Sequence, residues 1–420
     1  MKFQKRKFNK FLNALLFSFS LLICLNLLFM YILYLHTQNL RAGVPRPNYK
    51  TMFRVFKDTQ LDYADVQNHV WLIEEGYEKT DTKSGHFDYK KQKTNWIYHP
   101  LIPALGMLLN IIIKSPFWSL CFLNQIILLV ILTGFYYWSN ANISGNERKL
   151  SAWIILLFFI IPPLGYFINF VTLPAVLLGT LFFSFRHWLK SPQENQRSFW
   201  ILVISSLLLG LARLQGLLVN ASCLILIFLI IAWYKKPVGK IKLIIFSLAN
   251  VLPFLITMGI FKYYANDPFA GMKMQKAWGH SFTMPWKPII RYWKSGLVFN
   301  LQSDDLFFSS LRILVFFIFA CLTVKIIISK KKFIKDLLSH RYDESFINLY
   351  FIAISFGLLT LIFFTDLMVG IHRLTTLAFL IILIWFEQNR KISRFALFFL
   401  MFVRAVEFTL FFQGVRAFIW

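Results

Sequence analysis

Residues 117–138 read FWSLCFLNQIILLVILTGFYYW, a continuous stretch of 22 residues without a charged side chain. A helix of this length measures about 33 Å, which is enough to cross a hydrocarbon core about 30 Å thick. Comparable runs recur before and after it along the chain. A soluble core does not accommodate a string of such runs joined by short polar links, so this stretch predicts a protein embedded in a bilayer.

The composition extends this prediction to all 420 residues, of which 57% are hydrophobic, with a mean hydropathy of +0.59. Apolar runs near twenty residues long occur from end to end, so the bilayer takes the place of a large buried core. We predict a single integral membrane domain over 1–420, an all-α transmembrane helix bundle of about eleven spans. The predicted spans lie near 11–35, 117–138, 151–169, 172–188, 198–213, 216–234, 241–262, 308–328, 347–366, 371–387 and 394–412.

The net charge of +26 is explained by the membrane prediction. Lys and Arg collect in short links beside apolar runs, as the positive-inside rule requires of cytoplasmic loops, so nucleic acid is not predicted as a partner. The basic links at 186–197, 235–242, 325–341 and 388–394 all fall on the cytoplasmic side if 100–113 does not cross. That apolar stretch is only 14 residues long, which favours an interfacial or re-entrant helix.

This orientation predicts a multi-pass protein of the cytoplasmic (plasma) membrane whose active site faces outward. The first extracytoplasmic loop covers 37–116 and includes the interfacial helix, and the second covers 263–307. Cys24, Cys121, Cys223 and Cys321 all lie in apolar runs and are interpreted as small apolar side chains. No metal site and no cofactor are predicted, because no cluster of His and Asp has ligand spacing.

In the first loop, Val66, Val70 and Ile73 share one helical face, and Gly76 is typical of a helix C-terminus. Asp62 and Asp65 then lie at the start of the predicted helix. A carboxylate in this place is suited to take a proton from an acceptor hydroxyl, as a general base does. The alternative is that it only caps the helix.

The second loop combines cations, an amide and an aromatic ring beside the end of a span. Lys276 or His280 is suited to neutralise a phosphate and Trp278 to cover a sugar ring, and the amide of Gln275 lies beside them. The alternative is an aromatic belt at the membrane interface with snorkelling lysines. Arg213 and Arg373 each lie at a predicted span end, where an arginine either snorkels or is paired.

Several of these residues resemble motifs of the PIG-V-like mannosyltransferase family, which belongs to the GT-C class of polytopic glycosyltransferases. Asp65 is followed eleven and twelve residues later by Gly76 and Tyr77, the spacing found in the family. Further matches, in the same order along the chain, are His99-Pro100-Leu101-Ile102, Arg213-Leu214-Gln215-Gly216, Asn266-Asp267-Pro268, Gln275-Lys276-Ala277-Trp278-Gly279 and Arg373.

The resemblance implies a GT-C bundle that transfers a hexose, mannose by analogy, from a polyprenyl-phosphate-linked donor to a glycan or lipid acceptor among the membrane lipids. It implies inversion at the anomeric carbon, with Asp65 as the general base. With the neighbouring loop residues, the predicted substrate-binding residues are Asp62, His69, Tyr77, His99, Arg213, Gln275, Lys276, Trp278, His280 and Arg373.

Two other classes of function stay open at this point. A flippase or transporter of lipid-linked glycans requires polar pathways inside the membrane, whereas charged residues are scarce within the predicted spans. A non-catalytic assembly subunit would use the outer loops only for docking. Substitution of Asp65 distinguishes an enzyme from the other two classes, because only an enzyme requires a general base there.

Overall fold

The computed structural model describes residues 2–39, 64–80, 94–160, 172–192, 194–234, 238–275 and 344–360, with a few isolated positions from 284 to 398. Within these ranges the chain is helical, without a strand. The helices are α1 (Lys2–Asn39), α2 (Ala64–Glu74), α3 (Leu101–Ile113), α4 (Pro116–Asn142), α5 (Asn146–Ile160), α6 (Thr172–Lys190), α7 (Gln196–Ala212), α8 (Leu214–Tyr234), α9 (Lys240–Ala265), α10 (Ala270–Met274) and α11 (Glu344–Thr360). A short 3-10 turn covers Asn95–Ile97.

Four of the described helical segments are long and apolar enough to cross a membrane: Asn9–Leu28, Pro116–Asn142, Leu214–Ala232 and Lys240–Ala265. The all-α class is therefore confirmed over the described ranges, and the four apolar helices support the prediction of a membrane protein. The count of eleven spans stays a prediction, and the predicted spans at 308–328, 371–387 and 394–412 lie largely outside the described residues.

The stretch predicted to stop short of a crossing is a helix of 13 residues, α3. At 1.5 Å per residue it measures about 20 Å, well under the thickness of a hydrocarbon core. Its C-terminal half exposes Leu108, Ile111 and Ile112, the last with 79% of its surface uncovered. The helix is confirmed, and its position in the membrane stays a prediction.

The chain divides into two compact units. The first unit comprises Met1–Glu74, Leu105–Thr172 and Phe386–Trp420, and the second comprises Glu75–Ala104 and Leu173–Trp385. The four cysteines divide between them, and Cys121 and Cys223 are buried, as expected of small apolar side chains.

In the first unit, α1 packs on α4 through small and aromatic side chains. Ala14 and Ser18 lie one turn apart on α1 and are both fully buried, which allows the two helices to approach closely. Phe17 stacks at 5.2 Å from Tyr136. The amide of Asn26 donates a hydrogen bond of 3.0 Å to Oε1 of Gln125, a polar contact between helices that is favoured in an apolar surround.

The helix predicted in the first loop is confirmed as α2, with a slightly rotated buried face. Val66 and Ile73 are buried as expected, whereas Leu72 is fully buried and Val70 is only half-buried. Gly76 adopts φ = +79°, the left-handed conformation that ends many helices.

The second unit is built on α7, α8 and α9. Asn220 of α8 donates hydrogen bonds to the carbonyls of Ser206 in α7, at 2.9 Å, and of Asn250 in α9, at 3.5 Å. Pro253 lies inside α9 and disturbs the turn before it, because proline lacks an N–H and its ring displaces that turn. The carbonyl of Asn250 lies in this turn. Next to these helices, Phe182, Phe185, Trp188, Phe199, Phe246 and Phe351 form a buried aromatic cluster.

Candidate functional site

The second unit contains a cleft at the ends of α8 and α9, which we call the aromatic cleft. Its empty volume, open mouth included, is about 390 Å³. Four separate stretches of chain contribute to it. Its lining residues are Trp96, His99, Leu214, Leu217, Phe254, Thr257, Met258, Phe261, Pro268, Phe269, Gly271, Met272 and Gln275.

The segment that carries Trp96 and His99 is held by hydrogen bonds to the chain just after α2. Nδ2 of Asn95 donates to the carbonyl of Gly76 at 3.2 Å, and its Oδ1 accepts from the backbone N–H of Glu78 at 3.1 Å. The indole N–H of Trp96 donates to the carbonyl of Glu78 at 2.8 Å. One asparagine and one tryptophan therefore join residues 76–78 to residues 95–96.

Tyr77 connects this segment to α9. Its hydroxyl donates to the carbonyl of Tyr98 at 2.7 Å, and its ring meets Phe261 edge-on at 5.9 Å. Burial, with a smaller contribution from neighbouring Tyr264, raises the pKa of Tyr77 above its ordinary value. The phenol thus stays protonated and acts as a donor, and the structure gives it a supporting position behind the cleft.

Because Gly271 has no side chain, α10 lies close to the ring of Phe261 and to the backbone of Trp96. A Cβ at this position would lie 2.4 Å from Cε2 of Phe261 and 2.8 Å from the carbonyl oxygen of Trp96. The sequence Asn266-Asp267-Pro268 sets up this approach, because Oδ1 of Asp267 accepts from the N–H of Phe269 at 3.0 Å while Oδ2 pairs with Lys273 at 2.6 Å. The Asp267 carboxylate therefore organises the turn into α10.

His99 places an unsatisfied polar atom at the cleft. Its Nδ1 is buried and has no hydrogen-bond partner in the described structure. Burial first, and the positive charge of Arg213 second, lower its pKa to about 3. An imidazole in this state is uncharged at neutral pH, with one nitrogen able to donate and the other able to accept.

Arg213 forms the one-residue link between α7 and α8, in an extended conformation. Its carbonyl accepts from the N–H of Gly216 at 2.9 Å. A Cβ on Gly216 would lie 1.9 Å from the carbonyl oxygen of Leu209, so this turn requires glycine. The Arg213-x-x-Gly216 motif is thus explained by the tight turn between α7 and α8. From this turn the positive charge of Arg213 acts on His99 and contributes to lowering its pKa.

The structure brings together part of the predicted site. His99 and Gln275 line the aromatic cleft, Tyr77 supports it, and Arg213 acts electrostatically on His99. His69 belongs to the first unit and lies on the buried face of α2. Asp65 is the second residue of α2, but its side chain lies outside the described part of the structure. Five further predicted residues lie wholly outside it: Asp62, Lys276, Trp278, His280 and Arg373.

Several cleft residues were not predicted from the sequence. Trp96 is fully buried. It belongs to the aromatic-rich stretch 96–99, a sequence feature from which a buried contact at Trp96 could have been predicted. Phe254 and Phe261 look like any other apolar residues of a spanning helix. Their spacing of seven places them on one face, but nothing local distinguishes that face.

Comparison of the chain with protein-family models, with curated proteins and with solved structures finds no match. Within the described ranges, no three His, Cys, Asp or Glu side chains are grouped as metal ligands.

Proposed function

We propose that the chain is a membrane glycosyltransferase that moves a hexose, mannose being the first choice, from a polyprenyl-phosphate-linked donor to an envelope or lipid-linked glycan acceptor. The observation that carries the proposal is the convergence at the aromatic cleft. Tyr77, His99, Arg213 and Gln275 come from four distant stretches, each chosen for its resemblance to a mannosyltransferase motif, and all four lie in or beside this one cleft.

The proposed reaction is a single inverting displacement. Asp65 removes the proton from an acceptor hydroxyl, whose oxygen attacks the anomeric carbon. The bond from that carbon to the phosphate oxygen breaks, and the lipid phosphate departs with the electron pair. Arg213, Lys276, His280 and Arg373 are the cations available to stabilise the departing phosphate.

A lipid-linked donor is proposed instead of a nucleotide sugar for two reasons. The chain contains no glycine-rich nucleotide loop. The cleft also adjoins helix surfaces suited to lipid: on α9, Leu252, Phe254 and Leu255 are exposed, the last with 55% of its surface uncovered. A donor held in the membrane can reach such a surface laterally.

The experiment is a transfer assay with the full chain in lipid nanodiscs. The donors are polyprenyl-phosphate mannose and the corresponding nucleotide sugar, and Asp65→Asn is the inactive control. We expect transfer from the lipid-linked donor alone. Efficient transfer from the nucleotide sugar alone would overturn the proposed donor. Envelope glycans altered in a deletion strain, together with no transfer by the purified protein, would favour a transporter or an assembly subunit.

A further inference from the structure

The aromatic cleft has an uncharged lining. Among its thirteen described lining residues there is no Asp, Glu, Lys or Arg. A phosphate in such a place would lose its hydration without gaining an ion pair, which is strongly unfavourable. The positive charge of Arg213 acts on His99, and Lys273 directly follows Met272 in α10, but neither cation is part of the described lining. The interior of the cleft is therefore suited to the uncharged part of a substrate.

The polar groups that are present suit hydroxyls. Apart from Trp96, whose indole N–H is donated to the carbonyl of Glu78, three side chains in the lining can form hydrogen bonds: His99, Gln275 and Thr257. Thr257 donates its proton to the carbonyl of Pro253 at 2.8 Å and keeps lone pairs for accepting. An amide and a neutral imidazole each offer both a donor and an acceptor, as a sugar hydroxyl also does.

The apolar walls suit a ring. Phe254 and Phe269 are partly exposed and contribute aromatic surface, onto which the C–H face of a pyranose packs by burial of apolar area, while Trp96 and Phe261 are buried residues of the wall. Met258 and Met272 adapt to irregular shapes. A cleft with aromatic surfaces and a few fixed hydrogen-bonding groups has the usual composition of a small-molecule site.

His99 is held firmly enough to select its ligand. The carbonyl of the preceding residue, Tyr98, accepts the hydrogen bond from Tyr77, and the carbonyl of Trp96 lies against Gly271. The backbone on this side of His99 is therefore fixed at two points. The described structure shows no protein partner for the buried Nδ1 of His99, so a ligand hydroxyl that reaches it can form a hydrogen bond there.

We propose that the aromatic cleft binds an uncharged hexopyranose ring, with Nδ1 of His99 hydrogen-bonded to one of its hydroxyls, and that the cleft is not a phosphate site. The inference deepens the proposed function and rests on it for the choice of a hexose. It assigns His99 to the recognition of the sugar and leaves the phosphate to cations outside the lining, among them Arg213.

The test measures binding of methyl α-mannopyranoside to the full chain by saturation-transfer difference NMR. The protein is held in lipid nanodiscs free of glycoside detergents, whose head groups would compete. His99→Leu removes the hydrogen bond and should weaken binding about tenfold. His99→Asn places an amide atom where Nδ1 was and should retain most of the binding. His187→Leu, in the last turn of α6 and exposed, is the matched control and should bind like the wild type.

Two further measurements complete the test. Because His99 is uncharged, binding should stay constant between about pH 5 and 8, and inorganic phosphate should not compete. Unchanged binding in His99→Leu, or competition by phosphate that His99→Leu abolishes, would overturn the inference. So would absence of methyl α-mannopyranoside binding to the wild-type protein. The transfer assay is independent, so active transfer without hexose binding at His99 would refute this inference alone.

Discussion

The hydroxyl of Tyr77 donates a 2.7 Å hydrogen bond to the carbonyl of Tyr98. The bond joins the chain just after α2 to the segment that carries His99. The bond is buried, so Tyr77→Phe leaves a carbonyl without its partner. We expect a loss of about 1–3 kcal/mol in stability, measured as a lower thermal unfolding midpoint in nanodiscs. Tyr263→Phe is the control, because Tyr263 is 66% exposed and its hydroxyl has access to solvent. Equal effects from the two substitutions would show that the buried bond contributes little.

Gly271→Ala tests the close approach of α10. The added methyl would lie 2.4 Å from the ring of Phe261 and 2.8 Å from the carbonyl of Trp96, so one wall of the cleft must move. We expect a destabilisation of about 1–3 kcal/mol and weaker substrate binding. Gly259→Ala, in α9, has nothing within 4 Å of the new methyl and should be neutral or stabilising by up to about 1 kcal/mol. If both variants behave alike, packing at Gly271 is not what shapes the cleft.

Substitutions of Asp65 and Asp62 distinguish a catalytic role of the carboxylate from a helix-capping role. Asp65→Asn keeps the size of the side chain but cannot accept a proton from the acceptor hydroxyl. We expect turnover on a lipid-linked donor to fall by at least about 10²-fold with expression unchanged. Asp62→Asn should cost far less, since asparagine also caps helices well. The reverse result would assign the base to Asp62, and full activity of both variants would leave the first loop with a structural role.

His99 makes stability depend on pH. Its pKa is lowered to about 3 in the folded protein, chiefly by burial, whereas an unfolded histidine titrates near its ordinary value of 6.5. Between these values only the unfolded chain binds the proton. The stability is therefore complete above about pH 6.5 and declines as the pH falls toward 3, by at most about 1.4 kcal/mol per pH unit.

This decline should be visible in the unfolding midpoint between about pH 6.5 and 4.5, and it should be shallower in His99→Asn, which does not titrate. Other groups contribute equally to both proteins and cancel in the comparison. Parallel curves would mean that the imidazole is accessible to protons in the native state.

Cysteine labelling tests the orientation, in a variant whose four native cysteines are replaced. Because the basic links mark the cytoplasmic side, a cysteine at Ser84 or Thr283 should react with an impermeant thiol reagent in intact cells. One at Ser329, beside three consecutive lysines, should react only after lysis. Labelling at 329 and not at 84 would invert the topology and move the proposed site to the cytoplasm.

The sequence by itself determined the class of this protein and much of its helix pattern. Hydrophobic length is a local property, so the runs at 117–138, 216–234 and 241–262 predicted α4, α8 and α9 to within a few residues. The end of α2 at Gly76 was equally local, because a left-handed residue is a property of glycine itself. The short helix α3 was also predictable, because the length of the apolar run at 100–113 is read directly from the sequence.

Only the tertiary structure decided which face of α2 is buried and which residues meet at the cleft. Helical spacing places Val70 beside Val66 and Ile73, yet Leu72 is fully buried and Val70 only half-buried, so packing sets the buried face. Ile73 packs against Gly106 of α3, where an added Cβ would come within 2.4 Å. Trp96, Phe261 and Gly271 are distant in sequence, and their contact depends on how the helices assemble. The neutrality of His99 has the same origin, because burial and the nearby Arg213 are supplied by distant parts of the chain that no local spacing encodes.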